Sequence, residues 1–137
     1  MMKLTSDPFV AWSDVPLETL NEYIQRQVVS GDQLMLAMLH MKAGAWVATH
    51  SHPNEQFTYI LSGKVLFRYG NGLEHKAIVS AGELLHIPAG VPHNAKCLED
   101  AIDLDIFTPP RADWDTDGGN NYFLAGDASA KLEIKGV

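Results

Sequence analysis

The chain has 137 residues, enough for one domain with a proper buried core. Apolar residues make up 46% and charged residues 20%, an ordinary globular composition that excludes a disordered chain. Ten Lys and Arg against seventeen Asp and Glu give a net charge of −7, with no basic cluster to displace counterions from phosphates, so DNA and RNA are excluded as partners.

The start, Met1 to Pro8, has no apolar stretch of the kind a signal peptide carries, and the longest apolar run, Leu34 to Met41, is too short to span a bilayer. Cys97 is the one cysteine, so no intrachain disulfide is possible, and it reads as a small buried apolar residue. The expectation is a soluble, cytoplasmic protein with no membrane partner.

In chain order, Trp12–Arg26 is ambiguous. Asp14 with Pro16 can open a helix, whereas Tyr23, Gln25 and Gln27 can alternate on a strand. Gln33–Met41 is a strand apolar on both faces, which predicts burial against something beyond its own barrel and hence a homodimer built by strand exchange or sheet packing. Strands at Gln56–Ser62 and Lys64–Tyr69 are split by Gly63. Asn71-Gly72 predicts a type I′ hairpin into Leu73–Val79. Leu84–Ile87 runs to Pro88-Ala89-Gly90, and Ala101–Thr108 closes the series at Pro109-Pro110. Strands of four to nine residues with Gly and Pro between them predict an all-β barrel or sandwich. The tail after Trp114 is expected to wrap the surface or a neighbouring subunit.

His50 and His52 lie two apart, so on a strand both face the same way. Gln56 follows after the Pro53-Asn54 break, and His93 after the turn from Pro88 to Pro92. Three imidazoles with one amide oxygen suit a single divalent transition metal, Ni, Zn, Fe or Mn, better than Mg or Ca. His40, His75 and His86 lie outside this pattern, and His40 and His86, each in an apolar strand, are expected to be buried and hydrogen-bonded. Alternation puts Asp103, Asp105 and Phe107 on one face. Two carboxylates beside a Phe make little sense as packing, because a buried carboxylate is costly unless paired or working. The opposing reading has both carboxylates facing solvent and Arg111 in a surface ion pair.

The spacing Gly44-x5-His50-x-His52-x3-Gln56-x6-Gly63, followed by Gly82-x5-Pro88-x-Gly90-x2-His93, resembles the two cupin motifs, with Lys64 to Ala81 between them. That resemblance implies a double-stranded β-helix, a small barrel of two antiparallel sheets, with a core of about 32–114, an N-terminal arm at 1–31 and a tail at 115–137. Gln56 stands where most cupins carry Glu, and Cys97 where many carry Asn. A neutral Gln leaves a bound ion its full charge and strengthens it as a Lewis acid.

Residues 50–56, Thr58 to Gly63, Ile87-Pro88, Val91-Pro92-His93 and Asp105 to Arg111 together resemble the pectin-degradation cupins of the KdgF type. That likeness implies ring opening of 4,5-unsaturated uronates to linear 5-keto-4-deoxyuronates. It implies His50, His52, Gln56 and His93 as metal ligands, and Asp105, Phe107 and Arg111 as catalytic and substrate-binding residues. Arg111 would fork onto the carboxylate of a small sugar-acid substrate. Asp103 stands where the likeness leads one to expect a small or apolar residue, which leaves the acid/base role open between Asp103 and Asp105. The alternatives are a cupin dioxygenase and a non-catalytic sugar-acid-binding cupin.

Overall fold

The computed structural model describes residues 2–4, 8–115 and 122–124. Its strands in chain order are β1 (Met2–Lys3), β2 (Glu18–Thr19), β3 (Ile24–Ser30), β4 (Met35–Met41), β5 (Trp46–His50), β6 (Glu55–Tyr69), β7 (His75–Ser80), β8 (Leu84–Ile87), β9 (His93–Thr108) and β10 (Phe123–Leu124). The described residues contain two 3-10 turns, at Trp12–Asp14 and Ala112–Asp115, and no α-helix.

β6 and β9 run antiparallel, and each is long enough to serve two sheets. The first half of β6 and the second half of β9 join β8, β4 and β3 in one sheet. The second half of β6 and the first half of β9 join β7, β5 and β10 in the other. The expected barrel of two antiparallel sheets is therefore what forms. The side chains between the sheets are apolar on the β3, β4 and lower β6 faces, with Ile24, Val28, Met35, Ala37 and Ile60 all at 1% exposure or less.

The bend in β6 falls at Ser62-Gly63, where the register against β9 shifts. Gly63 adopts φ +82°, and a Cβ there would lie 2.1 Å from the Asp100 carbonyl oxygen, so only glycine lets the two strands cross this closely. Gly63 thus bends one continuous strand, where the sequence predicts two strands split at this residue. β9 likewise begins at His93, earlier than the Ala101 start that alternation predicts, because Asn94 and Lys96 alternate with Ala95 and Cys97 too gently to signal a strand.

The expected two-residue type I′ turn does not form. Tyr69 pairs with His75, leaving a five-residue loop in which Gly70 (φ +110°) and Leu73 (φ +55°) take the left-handed positions. The Glu74 carboxylate accepts from the Gly72 N–H at 2.8 Å and holds this wider loop. The ambiguous segment resolves into a 3-10 turn at Trp12–Asp14 and, from Ile24, a strand paired along its length with β4.

Candidate metal centre and active site

β5 ends at His50, and His52 follows in the loop that His93 faces from the start of β9. Ligating atoms of His50, His52 and His93 lie within 4.8 Å of one another. Each ring is oriented by its own backbone: Nδ1 of His50 lies 2.8 Å from the Ala48 carbonyl, that of His52 3.0 Å from Asn54, and that of His93 2.9 Å from Val91. A carbonyl only accepts, so each Nδ1 carries the proton and each Nε2 keeps a lone pair.

The other polar contacts fix what those lone pairs meet. Thr58 donates its hydroxyl proton to Asp105 Oδ1 at 2.7 Å, so its oxygen accepts from Gln56 Nε2 at 2.8 Å. That orientation turns Gln56 Oε1 toward His52 Nε2, at 3.0 Å. Two acceptors then face each other in a buried site, a costly arrangement unless a cation or a proton lies with them. A proton is disfavoured: burial, chiefly, and the Arg111 charge hold His52 below its usual range. His93 Nε2 is likewise buried without a hydrogen-bond partner. Burial and neighbouring charges push His50 down to about 3 and His93 to about 4, so the imidazoles are neutral at pH 7, as metal ligands must be. The four residues fit a divalent metal.

Beside this cluster β9 presents Asp103, Asp105 and Phe107 inward at 3%, 5% and 1% exposure. The carboxylates hydrogen-bond each other, and burial raises both above the usual range, Asp103 well above. Hydrogen bonds from Asp103, Thr58 and Gln56 and the Arg111 charge all oppose the rise at Asp105. The pair's shared proton therefore rests on Asp103, and Asp105 is the more readily ionised partner.

Arg111 departs from the expected geometry. Its guanidinium is 1% exposed and forks onto Asp113, Nε to Oδ1 at 2.9 Å and Nη2 to Oδ2 at 2.7 Å. Nη2 also donates to the Tyr122 hydroxyl at 2.6 Å, as does Trp114 Nε1 at 2.6 Å. The Tyr122 ring stacks on His50 with centroids 4.0 Å apart and planes 10° apart. Thr58, Asp113, Trp114 and Tyr122 are site neighbours to which the sequence alone assigns no role. Thr58 is legible as the inner-face neighbour of Gln56, whereas Tyr122 lies in a Gly- and Asn-rich tail with no periodic signal.

His50, Gln56, His93, Asp105, Arg111 and Tyr122 line one cavity of about 30 Å³, room for an ion or a water or two. A larger open groove of about 420 Å³ runs past Asn21, Gln25, His40 and Asp100, and holds none of the three clustered histidines. His40, half-buried there, bonds Gln27 as expected for a satisfied histidine. His86 does not follow its expectation: it points outward from β8, 42% exposed, and pairs with Glu55 at 2.7 Å. Cys97 is buried, and burial pushes its thiol up to about 12, as suits an inert core residue. No helix among the described residues is long and apolar enough to cross a membrane.

Residues 37–108 match the family described as the cupin domain. No curated protein matches the chain in sequence. Among solved structures, an RmlC-like cupin from Shewanella frigidimarina superposes with TM-score 0.72 at 24% identity, over 80% of this chain and 96% of that one. KdgF from a Halomonas species superposes with TM-score 0.72 at 25% identity, over 80% of this chain and 99% of that one. The formate complex of a Lactobacillus farciminis oxalate decarboxylase has TM-score 0.68 at 19% identity, over 96% of this chain and 43% of that one, a likeness of fold alone.

Proposed function

This chain belongs to the cupin domain family, and we propose that it is a metal-dependent enzyme that opens 4,5-unsaturated uronates to linear 5-keto-4-deoxyuronates. The observation that carries the reading is a line of polar contacts in which His52 Nε2 faces Gln56 Oε1 at 3.0 Å and hydrogen bonds run from Gln56 through Thr58 to Asp105, which links a three-histidine cluster to a buried carboxylate. The resemblance to the KdgF-type cupins supplies the substrate class, and the fit to a KdgF structure over 99% of its length supports it.

His50, His52, Gln56 and His93 would hold the ion. Once bound, it supplies Lewis acidity, drawing electron density from a nearby substrate oxygen. The chain's own residues do the proton work. Asp105, ionised while Asp103 keeps the shared proton, takes the proton of the anomeric hydroxyl. The C1 carbonyl forms, the bond from C1 to the ring oxygen breaks, and the electron pair stays on that oxygen as a C5 enolate. Asp105 then returns the proton to C4, leaving the C5 ketone, so the reaction is an isomerisation with no net proton change. Phe107, edge-on to His52 with centroids 5.6 Å apart, walls the cavity against water. Asp113 holds the Arg111 guanidinium in a fixed plane from which it can meet a substrate carboxylate.

The test follows the vinyl proton of 4,5-unsaturated galacturonate by NMR, with metal-loaded protein, chelator-stripped protein and buffer alone. Metal-dependent acceleration that Asp105→Asn abolishes supports the reading. A rate equal to buffer overturns it, and oxygen uptake with Fe(II) would then point to a dioxygenase.

The same proposal includes a homodimer. Phe57, Tyr59, Leu61 and Leu84, on the outer face of β6 and β8, are 38–58% exposed and form an apolar face beside Leu104 and Ile106. A monomeric mass at micromolar concentration would rule out the dimer.

A further inference from the structure

The cavity beside the histidines, about 30 Å³, is far below the roughly 300 Å³ at which small-ligand pockets begin. Its mouth is filled by the chain itself. β10 pairs with β5 through Phe123 opposite Val47 and Leu124 opposite Trp46, and the Tyr122 carbonyl accepts from the Ala48 N–H at 2.8 Å. That pairing lays the Tyr122 ring on His50 and places its hydroxyl oxygen between two donors.

The donors define what belongs there. A guanidinium and an indole N–H can only donate, and Arg111 Nη2 and Trp114 Nε1 both reach one oxygen at 2.6 Å. The notch is buried, with Arg111 at 1% and Trp114 at 7% exposure, and the guanidinium carbon lies 4.7 Å from the centre of the Trp114 ring. Two converging donors, one of them cationic, select an acceptor oxygen, and a carboxylate oxygen makes stronger bonds to them than a neutral phenol does.

We propose that Tyr122 is a built-in surrogate for a substrate carboxylate oxygen. It occupies a two-donor notch formed by Arg111 and Trp114, and an incoming small carboxylate displaces it together with β10. Trp114 then becomes the second carboxylate-recognition residue beside Arg111, and Tyr122 sets the affinity for acidic ligands by competing for the same donors. The identification of that carboxylate as a uronate's rests on the proposed function; the competition itself does not.

Among the described residues, β10 is held by the short pairing to β5, by the Asn21 side-chain amide, which donates to the Phe123 carbonyl at 3.3 Å, and by the buried Phe123 ring, edge-on to Trp114 with centroids 6.1 Å apart. A ligand must repay whatever the closed arrangement is worth, so its apparent affinity falls by the fraction of molecules that are open. Removing the phenol oxygen while keeping the ring should raise that fraction.

The experiment is calorimetric titration of the full-length protein and of Tyr122→Phe with D-galacturonate, a saturated acid with no C4–C5 double bond and so no enolate to become a C5 ketone, and with neutral D-galactose. The variant is expected to bind galacturonate about tenfold more tightly, with galactose unchanged. In a second measurement on the unaltered protein, the Trp114 indole N–H resonance, assigned with Trp114→Phe, is expected to shift on saturation with galacturonate and not with galactose. Equal or weaker galacturonate binding by Tyr122→Phe, no binding by either protein, or an indole resonance that ignores the acid would each overturn the proposal. Because no turnover is read, failure here is separate from failure of the ring-opening assay.

Discussion

Replacing His93 by glutamine in the metal-stripped protein should change how stability depends on pH, by an amount the structure fixes. His93 is buried and pushed down to about 4, against 6.5 for an unperturbed imidazole. Between those values the unfolded chain binds a proton that the folded chain refuses, so stability falls as pH falls, beginning near 6.5 and completing near 4. From pH 7.5 to pH 5 the loss from this one group is about 2 kcal/mol, taking 1.36 kcal/mol per pH unit over the 1.5 units below 6.5. A glutamine amide titrates nowhere in this range, so the difference in unfolding free energy between the two proteins should move by that amount in favour of the variant. His50 adds to the effect, because the charge of His93 is part of what holds it at about 3 and the variant relieves that repulsion. Asp103 and Asp105 act with the opposite sign: their raised values contribute stability that is lost as pH rises, but they are common to both proteins and cancel in the difference. Urea unfolding at pH 5, 6 and 7.5 in the presence of chelator measures it. A difference constant to within about 0.5 kcal/mol would refute the claim that His93 is held neutral by burial.

Asp103→Asn should flatten the loss of stability that sets in as pH rises above the ordinary carboxylate range, since it removes the carboxyl that burial raises most; Tm measured from pH 4 to pH 9 reports it. Thr58→Val leaves Gln56 Nε2 and Asp105 Oδ1 without their shared partner and should cost about 1–3 kcal/mol in urea unfolding. With the amide orientation released, the same variant should bind Zn about tenfold more weakly in a competition titration. Gln56→Glu places a carboxylate beside Asp105, so the metal-free variant should melt lower than the parent and gain more in Tm on adding Zn; an equal gain would argue against Gln56 as a ligand. Zn at a hundredfold excess over its Kd should raise the stability of the unaltered protein by about 2.7 kcal/mol, read as a chelator-reversible shift in Tm.

Periodicity and turn chemistry make most of the fold legible. β8 takes its observed limits from Leu84–Ile87 and the Pro-Ala-Gly that follows, and the inward face of Asp103, Asp105 and Phe107 follows from simple alternation. The features that escape are those that depend on distant partners. Nothing local distinguishes a glycine that separates two strands from Gly63, whose role is set by the Asp100 carbonyl on another strand. Asn71-Gly72 signals a tight turn, but the Glu74 side chain and the left-handed Leu73 favour a wider one. His86 sits among Leu84, Leu85 and Ile87, which read as a buried run, yet β8 lies beside β6 with one face outward. The histidine spacing is legible because motif and geometry coincide. The Tyr122 contact is not, because it joins a tail residue to His50, a ligand candidate far back in the chain.

β9 carries the third histidine at its first residue and Asp105, the proposed base, near its last, and its odd-numbered residues from His93 to Phe107 face inward along the strand, Glu99 excepted. The strand therefore works as a reading frame in three dimensions. Deleting one residue from the exposed stretch Leu98–Asp100 would leave His93 in place and turn both aspartates out to solvent. Such a chain would keep its histidine cluster and lose its inward carboxylates. The two halves of the proposed chemistry are kept in phase by a stretch that touches neither, so small insertions and deletions there are a route by which a chain of this shape would separate its histidine cluster from its buried carboxylates.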